Sequence, residues 1–298
     1  MGDRPSSAAN LRGIFAMLVS QALFLMSDSI VKLAGETLAP SQIMAVRGMM
    51  AVYLVGAILA ATVSWRQWYM VLRPLVIIRA IIEGAVAVFF LISLPHLQLG
   101  QITVISQVTP LILTIMSAVL LGESVGRARW TAVAIGFIGV ILVAQPTTQG
   151  VSIHVVGALI MALLVVARDL VTRYIGTDVP TGVVTFSSTV VVCLMGFAGL
   201  ETQPWGALTT NSATLLAASA VLVTLGIVFV VIAFRDVEVS VVSPFRYSAV
   251  VWATLYGYLL WNERPNDLAL VGTALIVIAG LFAMQQEARA LRNRGSLA

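Results

Sequence analysis

Arg79 and Glu83 stand one helical turn apart in an apolar run, and Val86 and Phe90 continue the same face. Glu83 lies about nine residues inside the helix expected to start at Pro74, too deep to reach water along a lipid-facing side. A guanidinium there takes a substrate's carboxylate, and a carboxylate there takes an ammonium group or carries a proton. The structural alternative is a mutually neutralised pair that serves packing alone. Arg47, about two turns into its own segment, and Arg246, in Ser243-Pro244-Phe245-Arg246-Tyr247, are two further embedded arginines. Arg246 has the chemistry to meet an anion, while either arginine has Glu83, Asp28 or Asp169 as a candidate partner.

Three more stretches place polar groups in hydrocarbon, where they are costly and belong on an inward face. Gln21, Phe24, Asp28 and Lys32 share one face of the first segment, and Asp169 and Arg173 occupy the equivalent positions of the sixth. Asp followed by Lys or Arg at i,i+4 also stabilises a helix, and snorkelling to the water interface explains both pairs without any ligand. In the fourth segment Thr103, Gln107, Pro110, Thr114 and Ser117 fall on one stripe. Pro110 denies the Ser106 carbonyl its usual donor, which exposes an acceptor and permits a kink. Small polar side chains also serve as helix-packing contacts, leaving long Gln107 the member least explained by packing.

Other chemistry is excluded. Cys193 is the single cysteine, so an intramolecular disulfide and a thiolate metal site are ruled out, and His96 and His154 are the only histidines. With no His/Cys/carboxylate cluster and no Gly-x-Ser-x-Gly, a membrane-embedded hydrolase has little to work with, and neither enzyme activity nor a cofactor is expected. The sole lysine, Lys32, follows Val31, so a phosphate loop ending Gly-Lys-Ser/Thr is absent and the chain is not an ATP-driven pump. A pI of 9.6 points to no nucleic-acid partner, because the arginines gather between apolar runs as topology signals.

The elements that must position these residues are membrane helices. Of 298 residues 59% are apolar and only 10% charged, with a mean hydropathy of +1.00. Apolar runs of the length that crosses a ~30 Å hydrocarbon core predict helices at about 13–34, 41–63, 74–94, 101–121, 128–145, 153–175, 181–200, 213–234, 240–260 and 267–285. The fold expected is all-α, with ten transmembrane helices. The two halves repeat at a shift of about 140 residues: Leu121-Gly122-Glu123 returns as Trp261-Asn262-Glu263, and Pro40 and Gly56 return as Pro180 and Gly196. That divides the chain into a tail over 1–12, a first five-helix repeat over 13–145, a second over 153–285 and a tail over 286–298. With the N-terminus inside, nearly all flanking arginines face the cytoplasm, and an odd number of helices per repeat inverts one half against the other. Both termini are then cytoplasmic, the loops near Gly35, Gln149 and Gln203 external, and the architecture that of a secondary carrier. Trp65, Trp68, Tyr69, Trp205 and Trp261 fall at predicted helix ends as interfacial anchors.

Pro95 to Pro110, then Leu120-Leu121-Gly122-Glu123 and Trp130 with Gly136 and Gly139, resemble the fourth and fifth helices of the drug/metabolite transporter superfamily in its ten-helix EamA branch. Arg47 and Arg79 also stand where members of that family often carry arginine. Val250 and Asn262 depart from the pattern in the second half, at positions matching the proline and the glycine. The resemblance, over about 11–286, implies two inverted repeats around a central cavity and export of small metabolites across a bacterial inner membrane. It is most like the amino-acid exporters of the YddG type, although no residue fixes that subfamily, and vitamins, nucleosides, S-adenosylmethionine, amines and drugs stay open, as does a passive channel. Gln21, Phe24, Asp28, Arg79, Glu83, Phe90, Gln107, Asp169, Arg246 and Trp252 are the candidate substrate contacts, with Phe89 and Tyr256 as further aromatic walls. The partners expected are the lipid bilayer, a small metabolite and coupled protons.

Overall fold

Prolines open the second and third helices at a first-turn position, where a missing N–H costs nothing. The computed structural model describes residues 7–120, 126–145, 151–176, 178–199, 204–234 and 239–295. In chain order the helices are α1 (Ser7–Ala34), α2 (Pro40–Thr62), α3 (Pro74–Ser93), α4 (Leu99–Ser106), α5 (Thr109–Leu120), α6 (Arg127–Ala144), α7 (Ile153–Tyr174), α8 (Thr181–Ala198), α9 (Thr210–Phe234), α10 (Val239–Val242), α11 (Ser248–Trp261) and α12 (Asp267–Gly295). The Leu121-Gly122-Glu123 motif and the loops at Gln149 and Gln203 lie outside the described residues, as does the side chain of Ser117.

Eight helical stretches among the described residues are long and apolar enough to cross a membrane, with α4 and α5 forming one of them. The two remaining predicted spans are shorter. The apolar part of α6 starts only at Trp130, past its arginines, and α11 has 14 residues. Two predicted helices are interrupted rather than continuous. The fourth breaks between α4 and α5 at Gln107 and Val108, just ahead of Pro110. The ninth becomes α10, a 3-10 turn over Ser243–Tyr247 and α11, because Pro244 cannot donate to the α-helical ladder. Trp65, Trp68 and Tyr69 are not merely helix-end anchors. They form a 3-10 helix of their own, Trp65–Leu72, in which Arg66, Tyr69 and Leu72 recur every third residue on the exposed side.

Compaction does not follow the two halves of the sequence. One unit comprises residues 26–97 and 157–225, and the other residues 1–25, 98–156 and 226–298, so each takes helices from both halves.

In the unit of α2, α3 and α8, glycines let backbones touch. A Cβ on Gly48 would stand 2.9 Å from the Cα of Cys193, and one on Gly196 would meet the backbone of Ala45. Without a hydrophobic drive between helices in lipid, such close approach is what holds α2 to α8. Met70 of the 3-10 helix packs with Leu59, Val76, Val179 and Val183, and Trp68 tilts against Phe186 at 6.0 Å. At the surface Arg73 pairs with Asp178 at 2.7 Å, and that hydrogen bond holds its guanidinium above the usual arginine range.

In the other unit α6 and α12 cross at a reciprocal glycine contact. A Cβ on Gly139 would lie 2.7 Å from the Gly272 carbonyl, and one on Gly272 would lie 2.6 Å from the Gly139 carbonyl. The N-terminal part of α1 packs Ala16 and Met17 against Ala233 and Val242. Ser20 donates to the Gly226 carbonyl at 2.9 Å, and Gly226 leaves room for the ring of Phe24.

Candidate functional site: a balanced charge network

Four charges from α3 and α7 form one network in the apolar unit. Glu83 accepts from the Arg168 guanidinium at 3.3 and 3.2 Å and lies 3.6 Å from Arg79. Arg168 also donates to Asp169 Oδ1 from Nε at 3.0 Å and from Nη2 at 2.8 Å. Arg79 turns its remaining donors to hydroxyls, reaching Thr172 Oγ1 at 3.1 Å and Ser188 Oγ on α8 at 2.5 Å. Two guanidinium and two carboxylate groups sum to zero. That balance is what makes the set tolerable in a membrane, where an isolated charge is expensive. The four side chains keep 18% (Arg79), 27% (Glu83), 20% (Arg168) and 37% (Asp169) of their surface exposed.

The predicted Arg79 and Glu83 pair is therefore present, but it is half of the arrangement. Glu83 is closer to Arg168, which the residue-by-residue reading did not select. The signal lay in Arg168 itself, an arginine well inside an apolar segment and next to an acid. Asp169, expected to answer Arg173 one turn on, lies against its neighbour Arg168. Phe90 is half-buried two turns along α3.

A second charged element in the same unit joins α1, α2 and α9. Arg47 donates to Ser27 Oγ at 3.1 Å and stands within electrostatic reach of Asp28. Ser27 in turn bonds the hydroxyl of Ser219 at 2.9 Å. Lys32, 7% exposed, does not snorkel to water. Its ammonium donates to the Leu97 carbonyl at 2.7 Å, because the turn that ends α3 brings that carbonyl alongside.

The other unit holds the remaining predicted residues. Gln107 stands at the break after α4, and its side-chain amide donates to the Arg246 carbonyl at 3.2 Å, joining the two interrupted segments. Arg246 presents an exposed side chain, and Trp252 stacks on Tyr256 at 5.9 Å along α11. Thr103 and Thr114 return their hydroxyls to their own helix at 2.8 and 2.9 Å. The acceptor that Pro110 frees is met from within the chain, since Thr109 Oγ1 donates to the Ser106 carbonyl at 2.6 Å. Gln21 contacts Met17 Sδ at 3.5 Å, and Phe24 packs on Gly226. Among the described residues no group of three His, Cys, Asp or Glu is placed to hold a metal ion.

Chemically, the network can exchange partners. Planar guanidinium groups bind carboxylates through paired hydrogen bonds, and a released carboxylate binds an ammonium group.

The sequence profile of the EamA-like transporter family matches residues 11–145 and, a second time, residues 148–285. The chain is 24% identical over 271 residues to the pseudopaline exporter CntI of Pseudomonas aeruginosa, covering 90% of this chain and 94% of that one. It is 27% identical to a riboflavin transporter of Rhizobium johnstonii, over 77% of this chain and 73% of that one. It is 25% identical to an S-adenosylmethionine uptake transporter of Rickettsia prowazekii, over 64% and 65%. These similarities do not single out the amino-acid exporters named above. A solved crystal structure superposes with a TM-score of 0.60 at 18% identity, covering 97% of this chain and 99% of its own.

Proposed function

We propose, since the chain belongs to the EamA-like transporter family, that this multi-pass membrane transporter exports amino acids, the larger apolar and aromatic ones best, by alternating access through ten helices in two inverted repeats. It is a secondary transporter of small metabolites and not an enzyme. The substrates in its relatives' names differ widely, so the choice among them rests on this chain's own residues.

The balanced network of Arg79, Glu83, Arg168 and Asp169 carries the reading. A zwitterion whose carboxylate takes an arginine and whose ammonium group takes the displaced acid leaves the site neutral. An anion leaves it one charge negative and a cation one positive, and either excess is costly in a low dielectric. Phe90, half-buried two turns along α3, supplies a contact for the substrate's side chain. The other unit has its own candidate solute contacts in Gln107, Arg246, the Trp252 and Tyr256 pair and Phe24. Glu83 or Asp28 is the candidate carrier of a coupled proton.

Counterflow in proteoliposomes tests this. Labelled phenylalanine or leucine is expected to exchange better than glycine, with saturation and trans-stimulation, whereas the deaminated and decarboxylated analogues fail. Counterflow of riboflavin or a nucleoside with none for any amino acid would end the amino-acid reading and leave the family untouched. Conduction that neither saturates nor shows counterflow identifies a channel instead.

The same reading places the protein in a bacterial inner membrane with both termini cytoplasmic. Cysteine at exposed Glu36, introduced with Cys193→Ser, is expected to react with an impermeant maleimide in intact cells, and cysteine at Arg66 only after the membrane is opened. Reversed labelling overturns the orientation. Serine suits position 193, because it can donate to the Ala45 carbonyl that the thiol faces at 3.6 Å.

A further inference from the structure

Glu263 follows α11, and where it points depends on two uncharged residues. Asn262 adopts φ 53°, the left-handed conformation that a glycine would otherwise supply at a helix end. Its N–H donates to the Tyr258 carbonyl at 2.9 Å, and that of Glu263 donates to the Gly257 carbonyl at 3.1 Å. The turn folds the glutamate back over Gly257, where a Cβ would stand 2.6 Å from Oε2. Oε2 then accepts from the Leu99 N–H, the start of α4, at 2.8 Å.

Helix α4 has eight residues, and its own N-cap residue, Gln98, provides no side-chain cap. A helix so short is marginal alone, and a carboxylate at its start both satisfies an orphan donor and complements the helix dipole. At the other end of α4, Gln107 bonds the Arg246 carbonyl at 3.2 Å. Between these points Gly100 faces Thr254, with a Cβ expected 3.5 Å from its hydroxyl. Residues 246–263 thus hold α4 at both ends.

We propose that Glu263 is a positioning residue: by capping α4 from the other half of the chain it sets the axial position of the interruption at Gln107 and Val108, and so of the Gln107 amide, itself a candidate contact for a transported solute. The kinetic part of this proposal rests on the transport reading above, whereas the capping part does not. Glutamine at 263 keeps an oxygen that accepts from Leu99. Alanine keeps none. Gly257→Ala displaces the carboxylate without removing it, although residue 257 donates nothing to α4.

Hydrogen exchange followed by mass spectrometry on fragments spanning 99–112 decides the capping part in detergent, without any substrate. Exchange there is expected to rise roughly five-fold or more in Glu263→Ala and Gly257→Ala, and to stay within about twofold of wild type in Glu263→Gln. In counterflow the first two variants should raise KM by about five-fold with a smaller change in maximal rate, and Glu263→Gln should restore it. Unchanged exchange in Gly257→Ala overturns the proposal, and so does faster exchange with an unchanged KM. If no amino acid shows counterflow, the substrate reading fails while the exchange result still decides whether Glu263 caps α4. Gly257→Ala adds one methyl only, so it remains informative where Glu263→Ala yields no folded protein.

Discussion

Arg168→Leu is expected to abolish amino-acid counterflow and to lower thermal stability in detergent. The substitution leaves the network one charge negative: Asp169 loses its 2.8 Å donor, and Glu83 loses the nearer of its two arginines and keeps Arg79 at 3.6 Å. Removing one partner of a buried pair typically costs about 3–5 kcal/mol, and the partial exposure of these groups reduces this to about 2 kcal/mol, or roughly 5 °C in Tm. Lost stability and lost recognition then coincide, so the informative comparison is Arg168→Gln with Glu83→Gln. That pair removes one charge of each sign and leaves Arg79 and Asp169, which again sum to zero. The double variant is expected to recover most of the folded yield and thermal stability but none of the transport. Wild-type counterflow by the double variant, with unchanged pH dependence, would sink the assignment and leave the network as structural neutralisation.

The second large effect is on folding. Gly272→Leu should leave little monodisperse protein, because its Cβ would sit 2.6 Å from the Gly139 carbonyl, an atom of a packed helix backbone that cannot rotate away. Overpacking of this kind costs about 1–3 kcal/mol where side chains can yield, and more where only backbone is available to move. Helices α6 and α12 would have to separate, and with them the close contact that substitutes for a hydrophobic drive in lipid. Gly126→Ala is the control, since nothing lies within 4 Å of a Cβ there. Size-exclusion chromatography of the solubilised variants reads both. A normal peak and melting temperature for Gly272→Leu would show that this crossing is not set by the glycine pair.

The candidate site was legible in its parts and not in its wiring. Arg79 and Glu83 were readable because i,i+4 spacing is local, and a helix brings those positions together whatever surrounds it. Arg168 was not selected, although it is the nearer partner of Glu83, because that contact depends on how α3 and α7 are rotated toward each other. Lys32 and Asp169 show the same limit. Each has a helical neighbour at favourable spacing, and what spacing could not show is that Lys32 also reaches the Leu97 carbonyl and Asp169 the adjacent Arg168. Pro110 announced a disruption, but the freed carbonyl is taken by the next hydroxyl in the chain, a detail of rotamer rather than of spacing. Asn262 shows the reverse case. It departs from the glycine of the repeat yet adopts a left-handed turn, since asparagine tolerates that conformation better than most residues.

By itself, the amino-acid sequence determined that this is an all-helical membrane protein, where most helices begin and which rare polar groups must be compensated. Those follow from apolar run length, from proline's missing N–H and from the cost of charge in hydrocarbon, all of which act within one segment. Tertiary structure alone decided which charges meet, how α4 is capped from α11 and how helices from both halves combine into each compact unit. The reason is geometric. Contacts within a helix are fixed by its 3.6-residue turn, whereas contacts between helices depend on rotation and separation, and those are set by backbone approaches at residues such as Gly48, Gly139, Gly196 and Gly272, whose partners are far away in the chain.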